Sequence, residues 1–106
     1  MPSLKEHPPL IAYQKYVAEL EKEREFKDQS VVDKCLLLGE EVGELFKAVR
    51  KKEGLNIDLN STPSQISYEL VDIFIFLCAI ANRYDINLED AFREKEEINK
   101  KRQWTK

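Results

Sequence analysis

Two pairs of acidic residues have a spacing that places both side chains of each pair on one helix face. Glu41 and Glu44 are three residues apart, and Glu69 and Asp72 repeat that spacing. At about 100° per residue, positions three apart lie roughly 60° apart around a helix. Carboxylates at the edge of an apolar helix surface are costly unless they are paired or bind a cation. The two pairs therefore raise the question of what neutralises them.

Both pairs are embedded in apolar segments. The second pair immediately precedes Ile73–Ala81, which contains no polar residue, so a helix built on it is apolar on every side and must be covered. Gly43 lies between the two acids of the first pair. A glycine in mid-helix lowers helix stability by roughly 1 kcal/mol relative to alanine, so its presence indicates either a functional role or close packing against another helix. Apolar residues flank this pair: Leu37, Leu38, Leu45 and Phe46. If the two helices pack antiparallel, the four carboxylates converge.

Convergence of four carboxylates predicts a divalent metal site. Negative charges held close together repel one another and raise their own pKa values. All-oxygen ligation suits Mg²⁺ or Mn²⁺ better than zinc, and two such ions would cancel four charges while leaving positions for water and phosphate oxygens. The alternative is that these acids face solvent or pair with lysines, as most helical glutamates do. Two pairs in two core helices favour the metal site.

Turn and capping signals divide the chain into four predicted helices that would position these acids. The first begins at Leu10, and the second runs from about Val31 to Lys52, capped by Asp28 or Ser30. The third begins at the capping box Thr62-Pro63-Ser64-Gln65 and continues to about Tyr84. Gly54 follows the second helix as a left-handed terminator, and Asn87 caps the fourth helix.

Four helices with short connections predict an all-α fold, an antiparallel four-helix bundle. We expect residues 1–106 to form one domain, with residues 1–9 as a loose lead-in. Because the third helix is apolar on all sides, one chain does not supply enough cover for it. We therefore expect a bundle that oligomerises, with the third helix near the subunit interface.

The fourth helix has an apolar stripe that becomes cationic towards its end. Leu88, Ala91, Phe92 and Ile98 are predicted to pack inward. The same side continues with Lys95, Asn99 and Arg102, an arrangement that suits a multiply charged anion. The alternative is a solvated helix end whose basic residues complement the helix dipole.

Composition narrows the classes of function. The net charge of −3 provides no electrostatic case for nucleic-acid binding. The apolar run is too short for a membrane span, which takes about 20 residues, and no signal peptide is expected from residues 1–9. Cys35 and Cys78 lie in apolar helical segments without metal-site spacing, so we expect two reduced core thiols in a cytoplasmic protein.

The acidic residues resemble the signature of a known family. Glu40-Glu41-x-x-Glu44 followed by Glu69-x-x-Asp72 is similar to the EExxE…ExxD motif of the MazG-like, all-α nucleoside triphosphate pyrophosphohydrolases. The segments LLLGEEVGELFKAVRK, YELVDIFIFLCAIANR and KEEINKKR also match, so the resemblance covers roughly Val31–Arg102. The chain is similar to short single-domain members, including dCTP pyrophosphatases and integron-type MazG proteins, which assemble as tetramers from tight dimers. It lacks the cysteine-proline-tryptophan segment of the long two-domain members.

The resemblance implies a reaction and assigns roles to residues. The reaction is Mg²⁺-dependent hydrolysis of a (deoxy)nucleoside triphosphate to the monophosphate and pyrophosphate, which would cleanse the nucleotide pool and favour dCTP or other canonical dNTPs. The assembly implied is a homotetramer, a dimer of dimers. The implied metal ligands are Glu41, Glu44, Glu69 and Asp72. Glu40 and Glu41 would act on the attacking water, and substrate would bind to Lys95, Asn99, Arg102 and Phe26.

Other functions remain open at this stage. A non-catalytic helical interaction module would leave the acids solvated and show no response to Mg²⁺. A di-iron carboxylate bundle needs Glu-x-x-His pairs, but the only histidine, His7, lies outside every predicted helix. Phosphoribosyl-ATP pyrophosphohydrolase and dimeric dUTPase share the general architecture and similar ligands. Base and sugar preference depends on the shape of a pocket that the sequence does not reveal.

Overall fold

The computed structural model describes residues 1–55 and 65–103, and its regular secondary structure within these residues is entirely helical. Four α-helices and one short 3-10 helix are present in that part of the chain. They are α1 (Leu10–Glu23), the 3-10 helix (Phe26–Asp28), α2 (Val31–Lys52), α3 (Ile66–Arg83) and α4 (Leu88–Lys100). The predicted all-α fold with four helices is confirmed. The 3-10 helix lies where the sequence showed only an interruption of the helical pattern.

Local hydrogen bonds explain why α2 and α4 begin where they do. The Ser30 hydroxyl accepts from the Asp33 N–H at 3.0 Å, and the Asp33 carboxylate accepts from the Ser30 N–H at 3.0 Å. The Asn87 side chain accepts from the Asp90 N–H at 3.0 Å. Gly54 follows α2 with a φ of 86°, the left-handed conformation that glycine adopts without steric cost. These predicted caps are confirmed.

The start of α3 differs from the prediction. The capping box would have made Pro63 the first helical residue, but α3 begins at Ile66. Gln65 is the extended residue before the helix, and its side chain makes no capping hydrogen bond. The rest of the predicted box, Thr62-Pro63-Ser64, lies outside the described residues.

The third helix occupies the centre of the described structure, where it packs against both α1 and α2. Val17 of α1 is buried against Cys78 and Ala79 of α3, and Leu88 at the start of α4 packs on the same cluster. Lys34 of α2 lies over the Phe76 ring, whereas Glu41 further along α2 contacts Glu69 further back along α3. The two helices therefore run antiparallel, as predicted.

One buried polar side chain joins α1 to the turn between α3 and α4. The Gln14 amide donates to the Asn82 side-chain oxygen at 3.2 Å and to the Ile86 carbonyl at 2.7 Å. It also accepts from the Leu88 N–H at 2.9 Å, and the Asn82 amide donates to the Gln14 carbonyl at 2.9 Å. Gln14 is only 2% exposed. Because buried polar groups are costly without partners, these four bonds specify how the three helices meet.

Two predicted core assignments are wrong. Phe92 and Ile98 of α4 were expected to pack inward, but they are 68% and 52% exposed, and α4 has no buried residue. Cys35 was expected to be a core thiol but is exposed, whereas Cys78 is buried as predicted. The reason is common to both: α4 packs on α1 and α2 packs on α3, so each helix has an apolar side that no other described helix of this chain covers.

The chain exposes more surface than a compact monomer of its size. Its accessible area is 8625 Å², against about 6,100 Å² expected for a folded monomer of this mass. Its radius of gyration is 16.7 Å, against about 13 Å expected for this length. Apolar residues of α2 and α3 contribute to the exposed surface: Leu36, Phe46, Val49, Leu70, Val71 and Leu77. The single chain therefore leaves apolar helix faces uncovered. None of the described helices is both long and apolar enough to span a bilayer.

We expect Gln14→Leu to lower the free energy of unfolding by about 2–3 kcal/mol, because it leaves the Leu88 N–H and the Ile86 carbonyl buried without partners. Chemical denaturation followed by circular dichroism would measure this change. Lys15→Leu, an exposed neighbour on the same helix, is the control and should change stability by less than about 0.5 kcal/mol. Equal stabilities of the two variants would show that the Gln14 bonds do not hold the helices together.

Candidate metal centre

The interface between α2 and α3 brings three of the predicted carboxylates together. One oxygen atom each of Glu41, Glu69 and Asp72 lies within 4.8 Å of the other two. Glu41 is near the middle of α2, and Glu69 and Asp72 are in the first two turns of α3. The antiparallel packing of the two helices therefore brings Glu41 next to Glu69 and Asp72, which follow it in the chain by 28 and 31 residues.

The electrostatic environment of the cluster disfavours negative charge. Burial raises the pKa of Glu41 above its ordinary value of 4.5, and a side-chain hydrogen bond with Glu69 raises it further. The charges of Asp72, Glu69 and Glu44 act in the same direction. Glu69 is buried, and its Oε2 atom has no hydrogen-bond partner within the described part of the chain.

A divalent cation fits this arrangement. The donor set consists of carboxylate oxygens, the ligands that Mg²⁺ and Mn²⁺ prefer. The Glu69 oxygen without a partner is a buried acceptor that a cation would satisfy, and the repulsion that raises the pKa of Glu41 would be relieved by positive charge. Glu41, Glu69 and Asp72 would hold the ion, and Mg²⁺ bound by a few carboxylates keeps further positions for water and phosphate.

The other two predicted acids of α2 lie outside this group of three. Glu44 is exposed and not among the oxygens that lie within 4.8 Å of one another, although its charge contributes to the raised pKa of Glu41. It follows Glu41 by almost one helical turn, so it borders the cluster. Glu40 is exposed on α2 next to Glu41. The structure thus provides a core of three carboxylates with a fourth at its edge.

The predicted anion-binding residues are at the end of α4. Lys95 is exposed, and the Asn99 side-chain amide donates to Glu96 at 3.2 Å while its Oδ1 atom is buried without a partner among the described residues. Arg102 is exposed and follows the end of α4, where its backbone N–H donates to the Asn99 carbonyl. The helix α4 packs on α1, whereas the acidic cluster lies between α2 and α3.

Phe26 lies in the 3-10 helix, with 41% of its surface exposed. Its ring centroid is 5.2 Å from the Lys34 ammonium group. Lys34, which was not among the residues predicted from the sequence, is buried between Phe26 and Phe76 and forms an ion pair with Glu21 at 3.5 Å. One signal was available: Lys34 precedes Glu41 by seven residues, which places it on the same inward face of α2.

A known protein family matches most of the chain. The model of the family described as "MazG nucleotide pyrophosphohydrolase domain" matches residues 29–104, which include α2, α3 and α4. The chain belongs to the MazG nucleotide pyrophosphohydrolase family. Membership indicates a hydrolase that acts on the acid anhydride bonds of a nucleotide, in a family that typically depends on a divalent metal. No curated protein matches the chain.

We expect Glu69→Gln to stabilise the metal-free protein, because it removes one of the charges that repel Glu41 and Asp72. The same change should weaken Mg²⁺ binding. Saturating Mg²⁺ stabilises the folded protein. If the affinity falls tenfold, this stabilisation should be smaller by about 1.4 kcal/mol. Thermal melts with EDTA and with Mg²⁺ would measure both effects.

Glu94→Gln, an exposed change on α4, is the matched control and should alter neither melt. A metal-free Glu69→Gln protein that is less stable than the wild type would instead identify Glu69 as a structural ion-pair partner.

Proposed function

We propose that this MazG-family protein is a Mg²⁺-dependent enzyme that hydrolyses nucleoside triphosphates to the monophosphate and pyrophosphate. The observation that carries the proposal is the convergence of Glu41, Glu69 and Asp72, with a buried Glu69 oxygen that lacks a partner in the described residues. A solvated surface cluster would not bury an acceptor in this way. Mn²⁺, which prefers the same ligands, would substitute for Mg²⁺.

The chain's own residues then have defined tasks in hydrolysis. Glu41, Glu69 and Asp72 hold the metal, with Glu44 at the edge of the site. When bound, the ion supplies a water of lowered pKa and stabilises charge on the phosphoryl oxygens. The water oxygen bonds to the α-phosphorus while the bond to the bridging oxygen breaks, and pyrophosphate leaves. We assign to Glu41 and to Glu40, which is next to it in the sequence, the task of orienting that water and accepting its proton.

The phosphate chain needs positive partners. One divalent ion does not fully offset the charge of three carboxylates, so it leaves no positive charge to balance the triphosphate. We assign this task to Lys95 and Arg102, with Asn99 donating a hydrogen bond between them. Their contacts would strengthen as negative charge shifts towards the leaving pyrophosphate, which is what raises kcat. Since α4 packs on α1 in this chain, these residues reach a metal site most simply across a subunit interface.

We propose a deoxynucleoside triphosphate as the substrate, with dCTP or another canonical dNTP preferred, and nucleotide-pool cleansing in the cytoplasm as the role. Phe26, which is 41% exposed, supports only the part of this assignment that requires a base, because an aromatic face is suited to stacking on any base. Two other functions make different predictions. A helical interaction module would show neither turnover nor a response to Mg²⁺, and a phosphoribosyl-ATP pyrophosphohydrolase-like enzyme would require that one nucleotide.

We propose a homotetramer built as a dimer of dimers. The uncovered apolar faces of α2 and α3 support it, as does the accessible area of 8625 Å². This exceeds the area expected for a compact monomer by about 2,500 Å², an excess as large as each subunit of an extensive permanent interface buries.

We expect Asp72→Asn to abolish turnover while the protein remains folded, because an amide is a weaker metal ligand than a carboxylate. A panel of deoxy- and ribonucleoside triphosphates with Mg²⁺, assayed separately for pyrophosphate and orthophosphate, would measure this. Pyrophosphate should be the product of the wild type, and a loss of at least about 10²-fold is expected for the variant. Asp90→Asn, an exposed acid of α4, serves as the control. Near-normal pyrophosphate release by Asp72→Asn would refute the two-helix metal site.

For the assembly, we expect light scattering to give the mass of a tetramer, and the double variant Leu70→Lys/Leu77→Lys to give a smaller species. Leu70 and Leu77 are exposed and lie seven residues apart on one face of α3, so two charges there would disrupt an apolar interface. Glu94→Lys adds a positive charge on α4 and is the control. A wild-type protein that is monomeric at micromolar concentration would exclude the proposed assembly.

A further inference from the structure

A second group of charged residues lies deeper in the fold than the metal cluster. Glu21 of α1 forms ion pairs with Lys34 of α2 at 3.5 Å and with Arg83 of α3 at 3.3 Å. The side chains of Glu21 and Lys34 are only 9% and 3% exposed. Burial of charges costs free energy unless they are paired with good geometry. The burial of Glu21 and Lys34 therefore indicates a structural or functional role for this cluster.

The same cluster holds the 3-10 helix on which Phe26 lies. The Arg83 guanidinium donates to the Gln29 carbonyl at 2.6 Å and to the Phe26 carbonyl at 3.3 Å. Glu25, immediately before Phe26, has a φ of 61°, a left-handed conformation that a non-glycine residue adopts only when its surroundings hold it there. Arg83 of α3 therefore holds the backbone of this segment through two hydrogen bonds, one to Phe26 and one to Gln29.

The Phe26 ring is held as well as its backbone. The Lys34 ammonium lies 5.2 Å from the Phe26 ring centroid and 5.9 Å from that of Phe76, both within cation–π range. Phe26 nevertheless remains 41% exposed. Its ring thus has a charged group as a neighbour within the protein, and the exposed part is available to a ligand.

The contact between Lys34 and Phe76 lies about two helical turns from the acidic cluster. Lys34 precedes Glu41 by seven residues on α2, and Phe76 follows Glu69 by seven on α3. Seven residues are two turns of helix, so each pair shares one face and is separated by about 10 Å along it. A nucleotide whose phosphates bind at the acidic cluster has its base at a similar distance.

We propose that Lys34, supported by Glu21 and Arg83, is a positioning residue that orients Phe26 to stack on the base of the nucleotide. The inference rests on the proposed function and extends it. Lys34 itself does not touch the substrate. Its charge, paired with Glu21, holds the ring in one orientation before substrate arrives, so that the free energy of binding is not reduced by ordering the ring. The contact favours substrates that carry a planar base over triphosphates without one.

The test is Lys34→Met, which keeps the length of the side chain and removes its charge. Ordering one side chain on binding costs about 0.5–1.5 kcal/mol, so KM for the best nucleoside triphosphate should rise about two- to tenfold while kcat changes little. Lys34→Arg retains the cation and should restore most of the affinity. Lys22→Met, the same change at an exposed lysine of α1, is the matched control and should leave KM unaltered.

A double-mutant cycle with Phe26→Ala separates positioning from general destabilisation. If Lys34 acts through Phe26, adding Lys34→Met to Phe26→Ala should raise KM no further. The variant Glu21→Gln/Lys34→Met removes both charges and therefore avoids an unpaired buried carboxylate, which keeps the test open if Lys34→Met alone does not fold. Its KM should remain raised even if its stability is restored.

Three results would overturn the inference: an unchanged KM in Lys34→Met, an equal increase in KM in the Phe26→Ala background, or a wild-type KM in the doubly neutral variant. Each of them leaves the pyrophosphohydrolase assignment intact, because the wild type still releases pyrophosphate. A wild type that turns over no nucleoside triphosphate refutes the proposed function itself, before any variant is compared.

Discussion

The structure depends on carboxylates placed between two antiparallel helices. Glu41, Glu69 and Asp72 approach one another because α2 packs on α3, and that packing has to overcome their mutual repulsion. Two features of the described residues reflect this repulsion: the pKa of Glu41 is raised, and one buried oxygen of Glu69 has no hydrogen-bond partner. Local rules that are broken at one place in an otherwise consistent fold are typical of functional sites. The conflict is thus the strongest physical argument for a bound cation.

The remainder of the fold holds α2 and α3 in register without completing a closed core. Gln14 joins α1 to the end of α3 through buried hydrogen bonds, while α4 adds little burial. Among residues 1–55 and 65–103, buried hydrophobic residues are few and mostly small, whereas large apolar side chains remain exposed on α2, α3 and α4. A chain of this size buries a limited fraction of its surface. Association between copies would cover these exposed apolar faces, which is the physical basis of the proposed assembly.

The buried ion cluster and the acidic cluster share the α2–α3 interface at different levels. Lys34 and Glu41 lie on one face of α2, while Phe76 and Glu69 lie on the corresponding face of α3. Two antiparallel helices therefore hold the acidic cluster and the Lys34–Phe76 contact at a fixed separation, because an α-helix is stiff over two turns. Rigid elements position functional groups more precisely than loops do.

The sequence by itself determined the helices, most of their caps and the acidic signature, because these depend on residues within a few positions of one another. Ser30 with Asp33, Gly54 and Asn87 are local signals, and the structure follows them. The exposure of Phe92 and Cys35 was decided by tertiary structure, since an apolar stripe shows that a face needs cover but not whether this chain supplies it. Tertiary packing likewise decided which acids meet and placed Lys34 among Glu21, Phe26 and Phe76, because contacts between different helices follow from how those helices cross.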